Sequence, residues 1–171
     1  MTSSTNHTKD NQSSSQSGAL RDIDSERRQA LSLVHYWDHL RGERPMPIED
    51  ELDMEHDLVK HIWDQCFVVQ LRDVNTGRPE FNYTYLGPTI VSAYDDELAG
   101  AEVEGMVSLN ASKLMGAYQE VIDTVRPVLH TGEFDNGRGS VIKFRQCLLP
   151  LGVENVDVIL GYLNYYVYAK L

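Results

Sequence analysis

The hydrophobic pattern of this chain changes its period at Cys66. Before this residue, apolar side chains from Ile23 to Leu40 recur at three- and four-residue steps, which is the spacing of one face of a helix. After it, residues 66–71 form a short, mainly apolar run typical of a strand, and apolar and polar side chains alternate over residues 81–86, as they do in strands that bury one face. The two periods in succession predict an α+β domain with a helix ahead of a sheet.

The remainder of the chain adds helices and three more strands. Residues 89–107 contain three short helical stretches separated by glycines, and a longer helix begins near Ser112. The three further strand-like segments are 129–134, 140–149 and 156–168. We therefore predict a five-stranded antiparallel sheet with helices on one face, in which the longest helix interrupts the strands rather than preceding them.

The N-terminal part divides into a tail and a helical extension. Residues 1–22 contain too few apolar side chains to offset the loss of chain entropy on folding, which predicts a disordered tail. Residues 23–63 follow as an amphipathic helix over 23–41, a proline-containing linker, and then either a second short helix or a looser turn. The sheet domain itself is predicted to span residues 64–171.

Charge and apolar runs exclude several functions. The chain contains 15 Lys and Arg residues and 26 Asp and Glu residues, so its formal charge is −11. A surface of this charge repels nucleic acid and anionic membranes. No apolar run serves as a signal-peptide core or reaches the ~20 residues that cross a bilayer, so we expect a cytoplasmic protein without membrane insertion. Cys66 and Cys147 lie in strand-like apolar segments without a CxxC pair, which predicts buried, reduced thiols.

Two local motifs add a family resemblance. Residues 36–47 read YWDHLRGERPMP, and residues 81–87 read FNYTYLG. Together with the element order, they resemble the family of stand-alone bacterial PAS proteins that carry a YWxxLRGxRxxP lead-in helix, over roughly residues 31–168. The resemblance implies a PAS fold and a sensory or regulatory role in bacterial signal transduction, exercised through a signalling protein partner.

Candidate ligand-binding residues lie where the second strand meets the helices and along the longer helix. Side chains beneath that helix would line an internal cavity, although the same residues also suit a plain core. The candidates are Tyr85, Met106, Met115, Tyr118 and Ile122. On a central strand, Lys143 and Arg145 share a face that suits either a ligand carboxylate or an exposed sheet surface.

Motifs for catalysis and for metal binding are missing from the sequence. There is no nucleophile elbow, phosphate loop, dinucleotide fingerprint or His-flanked carboxylate pair, so we expect a protein that is not an enzyme and has no catalytic residues. His35 and His39 lie four residues apart but lack a third ligand nearby. We therefore predict no metal site and no cofactor.

The apolar stripe of the lead-in helix predicts an interface. Tyr36, Trp37 and Leu40 are its anchors, and they face either the uncovered side of the chain's own sheet or a second subunit in a homodimer. The predicted function is a PAS module that binds a partner protein and, where its cavity is used, a small ligand. Two alternatives remain open: a small α+β pocket enzyme or carrier of the cone-shaped type, and a PAS adaptor without a ligand.

Overall fold

The computed structural model describes residues 13–72, 80–90, 111–135 and 139–170. The bounds of the helices and strands in this part of the chain are α1 (Ser13–Arg41), β1 (Cys66–Arg72), β2 (Glu80–Leu86), α2 (Ala111–Thr124), β3 (Val128–Asp135), β4 (Ser140–Leu151) and β5 (Val158–Ala169). Two short 3₁₀ turns, at Glu49–Glu51 and Trp63–Gln65, lie between α1 and β1.

The strands form one antiparallel sheet in the order β2-β1-β5-β4-β3. The last strand, β5, lies at the centre, where it pairs with β1 on one side and with β4 on the other. The α+β class and the antiparallel pairing are confirmed. The five predicted strand segments are all found, and each bound lies within two residues of its expected position.

Cross-strand pairing sorts the side chains of the sheet into two faces. Tyr162 on β5 is paired with Cys66 on β1 and with Cys147 on β4, so these three residues point the same way. The Tyr162 hydroxyl donates a hydrogen bond of 2.6 Å to the Gln29 side chain of α1. Helix α1 therefore covers this side, which we call the α1 face.

The opposite side, which we call the α2 face, begins with the neighbouring residues of the same strands. Gly161 is paired with Phe67 and Leu148 and points away from α1. The Phe67 ring meets Tyr83 at 6.0 Å between centroids, and the Tyr83 hydroxyl lies 3.3 Å from that of Tyr118 on α2. The sheet is thus sandwiched between two helices, and both sides contribute to one core.

Helix α1 is longer than the sequence predicts. It begins at Ser13 rather than Ile23, so the expected disordered tail is wrong for residues 13–22, while residues 1–12 lie outside the described part. Once a helix is nucleated, each added residue gains a backbone hydrogen bond, and residues 13–22 contain no proline to stop it. With 29 residues against 14 in α2, the longest described helix precedes the sheet, contrary to the prediction.

The end of α1 is fixed by two residues of the lead-in motif. Gly42 has φ +57°, a left-handed conformation that terminates a helix and that glycine adopts without strain. The Arg44 guanidinium donates to the carbonyl oxygens of Leu40 at 2.6 Å and Arg41 at 3.1 Å. It also reaches both carboxylate oxygens of Glu51, at 2.7 and 2.9 Å. One side chain therefore caps α1 and ties it to the linker.

The segment between the linker and β1 is the looser turn rather than a second helix. Residues 54–62 run through successive turns before the Trp63–Gln65 3₁₀ turn. The linker joins the sheet through the backbone, since the Gly152 amide donates to the Pro47 carbonyl at 2.9 Å. Met46 and Val59 are buried in the common core. The predicted helical extension is thus part of the domain core.

Candidate functional site

Of the predicted ligand-binding residues, Tyr118 and Ile122 lie on α2. Tyr118 is buried, and its ring lies 5.1 Å from that of Phe81 on β2. Its hydroxyl is within hydrogen-bond distance of Tyr83, at 3.3 Å. Ile122 is partly buried and packs against the core. Tyr118 therefore joins an aromatic cluster on the α2 face, whose other members, Phe81 and Tyr83, were not among the predicted ligand-binding residues.

Tyr85 belongs to a different part of the molecule. A bulge in β2 shifts the register, so that Tyr85 pairs with Val68 while Tyr83 pairs with Val69. Since Val68 and Val69 are consecutive on β1, their partners point to opposite faces. The Tyr85 ring packs edge-on against Trp63, and its hydroxyl donates to the Trp63 carbonyl at 3.1 Å. The prediction that Tyr85 joins Tyr118 is corrected: Tyr83 takes that place.

The two methionine candidates cannot be placed in this cluster. Met106 lies outside the described residues, as does most of the range 89–107 in which the short helices are predicted; of that range the structure describes only residues 89 and 90, which are helical. Met115 lies in α2, but its side chain is outside the described part. The candidate site is therefore built from the sheet and from residues 117–124 of α2.

Two glycines on the α2 face let phenyl rings lie flat against the sheet. The ring of Phe67 on β1 lies over Gly161 on β5, where any Cβ would overlap three ring atoms. The ring of Phe144 on β4 lies over Gly132 on β3 in the same way, with a Cβ at 2.5 Å from the ring. Both rings are buried. These Phe–Gly pairs give the α2 face a flat aromatic floor, which a glycine inside a strand pattern can signal.

A polar pair interrupts this floor. Gln146 on β4 is only 3% exposed, and its side-chain nitrogen lies 2.9 Å from Nδ1 of His130 on β3. The two residues are cross-strand partners, and the His130 ring lies 5.5 Å from that of Phe144. Gln146 is a polar residue at a position of β4 that faces the interior, where an apolar side chain is the usual choice.

The Tyr83 and Tyr118 hydroxyls form a second polar point on this face. Burial raises the pKa of Tyr83, and the hydrogen bond to Tyr118 opposes this only in part. The Tyr83 phenol thus remains protonated at neutral pH, and the two hydroxyls place donor and acceptor atoms within apolar surroundings. The α2 face combines flat rings with a few fixed polar groups, which is the composition of small-molecule sites.

The predicted interface residues lie inside the chain's own fold. Tyr36 and Trp37 are buried, and Leu40 is partly buried against the same core. The Trp37 indole donates to the Pro150 carbonyl at 2.7 Å, and the Tyr36 hydroxyl accepts from the Asp53 amide at 2.6 Å. Both side chains are thus enclosed by the chain's own fold, Trp37 against β4 and Tyr36 beside Asp53 and His56. The prediction that placed Tyr36 and Trp37 against a second subunit is therefore corrected to an intramolecular contact.

Further along α1, the contact with the sheet becomes polar. Glu26 is 2% exposed and accepts a hydrogen bond of 2.8 Å from the Tyr166 hydroxyl. Its other carboxylate oxygen has no hydrogen-bond partner among the described residues and lies 3.7 Å from the Arg145 guanidinium. The sequence suggested that Arg145 and Lys143 could hold a ligand carboxylate. In the fold, the carboxylate beside Arg145 is that of Glu26.

A groove of about 370 Å³ opens where β1 ends beside the start of β5. Its charged lining consists of Glu49, Asp50, Asp157 and Arg72, over an apolar floor that includes Leu71. Burial raises the pKa of Asp157. With three carboxyl groups against one guanidinium, this groove disfavours anionic ligands, and its lining includes none of the predicted ligand-binding residues.

Neither a metal centre nor a membrane span is found in the described ranges. No cluster of three or more His, Cys, Asp or Glu side chains there could hold a metal ion, and none of the described helices is long and apolar enough to cross a membrane. Cys66 and Cys147 are free and buried. Cys66 on β1 and Cys147 on β4 pair with Tyr162 from opposite sides of β5. The two cysteines are therefore separated by two strand spacings, ~10 Å, which is too far for a disulfide.

Comparison with known proteins adds no relative. No protein-family model, curated protein or solved structure matches the chain. What remains is the site itself: aromatic rings, a buried amide, an imidazole and two phenols on one face of the sheet.

Proposed function

We propose that this chain is a PAS-type sensory or regulatory module of bacterial signal transduction that binds a partner protein and a small ligand. The observation that carries the proposal is the path of the chain between β2 and β3. It leaves the sheet at one edge, passes through α2, and returns at the opposite edge, which gives the order β2-β1-β5-β4-β3. A PAS sheet has the same order, with helices inserted at the same point.

The lead-in motif supports the same assignment. Its residues have distinct tasks in holding α1 on the sheet: Trp37 bonds to β4, Gly42 ends the helix, and Arg44 ties the helix end to the linker. A motif whose residues together hold α1 on the sheet indicates the family more specifically than an amphipathic pattern alone. These contacts also explain why the lead-in helix accompanies this sheet.

The α2 face supports ligand binding. Phe67 and Phe144 lie flat, while Tyr83, Tyr118 and Gln146 supply polar atoms between them. The rings provide apolar area, and the polar atoms provide orientation, as in other small-molecule sites. A ligand held here would contact both the sheet and α2, so its binding would alter the position of the helix and hence the outer surface offered to a partner.

The alternative of a cone-shaped pocket enzyme or carrier has one observation in its favour. Helix α1 is the longest described helix and precedes the sheet, as that architecture requires. Against it stands the crossing from β2 to β3, which places β5 between β1 and β4. The PAS hypothesis accommodates both the long α1 and the strand order, because α1 lies on the face of the sheet opposite α2.

Native mass spectrometry of freshly purified protein tests the proposal. A small molecule released by denaturation, or a mass above that of the chain, is the expected result. Ile122→Trp enlarges a side chain on α2 and should lower the occupied fraction, whereas Leu31→Trp on the exposed side of α1 should leave it unchanged. Equal occupancy in both variants would contradict a ligand site beneath α2.

A homodimer remains part of the proposal and is tested by light scattering. Because Trp37 is buried against its own sheet, Trp37→Ala should lower the melting temperature without changing the mass in solution. A shift of the variant from two chains to one would instead show that α1 forms the subunit contact. A wild-type protein that stays monomeric at high micromolar concentration would remove the dimer from the proposal.

A further inference from the structure

Gln146 is the one uncharged polar residue among the fully buried side chains of the described part of the chain. It is 3% exposed, on a strand whose next residues, Cys147, Leu148 and Leu149, are all buried and apolar. A buried amide that lacks hydrogen bonds destabilises the fold relative to a well-packed apolar side chain. An interior made only for packing favours leucine or methionine at this position.

The hydrogen bonding of Gln146 is incomplete. A primary amide offers two N–H donors and an oxygen with two lone pairs. Among the described residues its one partner is Nδ1 of His130, at 2.9 Å. With the amide nitrogen donating, the His130 ring proton belongs on Nε2, and one N–H and the carbonyl oxygen of Gln146 remain available on adjacent atoms.

The surroundings of this free edge are flat and aromatic. On β4, Phe144 lies two residues from Gln146 on the same face, with its ring over Gly132 and 5.5 Å from that of His130. On β5, the partner of Gln146 is Leu163, which lies two residues from Gly161 on the same face. Because Gly161 has no side chain, the Phe67 ring lies over this residue. A planar molecule on this floor would meet the amide edge-on.

We propose that Gln146, positioned by His130, recognises a planar heterocycle that carries an adjacent N–H and C=O, the edge of a lactam or cyclic amide. A primary amide pairs with such an edge through two antiparallel hydrogen bonds, one donated and one accepted. The rings of Phe67 and Phe144 supply the apolar area beneath the heterocycle. The inference rests on the proposed ligand site of the α2 face and names the chemical class of its occupant.

His130 holds the amide in the required orientation. With its ring proton on Nε2, Nδ1 of His130 accepts from one N–H of Gln146, and rotating the amide by half a turn would require this proton to move to Nδ1. His130 thus acts as a positioning residue, and its tautomer selects the donor–acceptor order presented to the heterocycle. A ligand with the reversed order of hydrogen-bonding groups would be disfavoured.

The test uses 2-quinolone, which has the lactam edge, and quinoline, which has the same two rings without the adjacent N–H and C=O. Titration of the full-length protein by calorimetry should show binding of 2-quinolone about tenfold or more tighter than quinoline, since ~1.4 kcal/mol corresponds to a factor of ten. Gln146→Met keeps the length and removes the amide, and it should abolish this preference while quinoline binds as before.

A second measurement avoids dependence on the folding of a variant. In the ¹⁵N spectrum of the wild-type protein, the side-chain NH₂ signals of Gln146 should shift on addition of 2-quinolone and stay unchanged with quinoline. His130→Phe, which removes the positioning bond, should weaken 2-quinolone binding about tenfold and leave quinoline binding intact.

The outcomes separate this inference from the proposed function. Equal affinity for the two compounds, or a preference that survives in Gln146→Met, overturns the role of the amide while the aromatic site stands. If neither compound binds, the lactam class is overturned, and native mass spectrometry decides independently whether the face holds any small molecule.

Discussion

Gly161→Ala is the sharpest test of how the sheet faces are built. Gly161 has an ordinary extended backbone, since its φ is not positive, so the substitution itself is conformationally allowed. In an open position it would stabilise the protein by about 0.4–1 kcal/mol, because alanine restricts the unfolded chain. Here the new Cβ would lie closer than 3.0 Å to three atoms of the buried Phe67 ring. The ring must move, and overpacking of this kind costs about 1–3 kcal/mol.

The sign of the change therefore decides between packing and backbone effects. We expect a net loss of about 2 kcal/mol in the free energy of unfolding, or about 4–8 °C in melting temperature for a chain of this size. Urea denaturation followed by circular dichroism measures it. In the double variant with Phe67→Leu the collision is relieved, so the two changes should be coupled by about 1–2 kcal/mol.

Gly42→Ala is the matched control, because nothing lies within 4 Å of its Cβ position and only its φ of +57° opposes alanine. Its cost should be the same with Phe67 or Leu at position 67. A stabilising Gly161→Ala, or additive effects in the double variant, would refute the flat packing of Phe67 on the sheet.

Three further results are expected. Arg44→Ala should lower stability by about 1 kcal/mol in urea titrations because the last carbonyls of α1 lose their donor, whereas Lys60→Ala, which breaks only an exposed ion pair, should change nothing measurable. Arg145→Met should destabilise by about 3 kcal/mol because it removes the guanidinium that lies 3.7 Å from the buried Glu26 carboxylate, and the double variant with Glu26→Met should recover most of the loss. A double variant as unstable as the single one would be inconsistent with a buried charge. Burial raises the pKa of the Cys147 thiol from an ordinary value near 9 to about 12. The protonated thiol stabilises the fold fully below about pH 9, and this stabilisation is lost as the pH rises toward 12, because the unfolded chain releases the proton first. Between pH 8 and 10 the melting temperature should therefore fall less steeply with pH in Cys147→Ala than in the wild-type protein. Equal pH dependence in the two proteins would argue against a raised pKa of Cys147.

Most of the sheet could be predicted from the sequence because alternation is a local signal. The strands at 66–72 and 140–151 follow directly from their side-chain pattern. Helix bounds were less predictable, since the start at Ser13 lies in a polar segment without the apolar spacing used to find helices. Propagation from the packed part of α1 extends the helix there, and this is not visible in local composition.

The candidate site was predicted only in part because register is not a local property. Helical spacing predicts Tyr118, but the bulge in β2 places Tyr83 and Tyr85 on opposite faces, although they would share one face in a regular strand. The burial of Gln146 is not predictable from the sequence, because a lone polar residue in a strand is usually exposed. Its burial and its pairing with His130 depend on which strand lies beside β4.

The position of β5 determines when this fold can be completed. It follows every other described strand in the chain, yet it lies between β1 and β4, so the two halves of the sheet are joined only through residues 158–169. Until these residues have been synthesised, β1 and β4 each present an open edge with unpaired backbone groups, which favours aggregation. The β1–β5 contacts close a loop of nearly one hundred residues, from Cys66 to Tyr162, whose entropic cost precedes any gain in packing. Folding of this domain should therefore be slow, and its nascent chain should depend on protection at the two inner edges that β5 later covers.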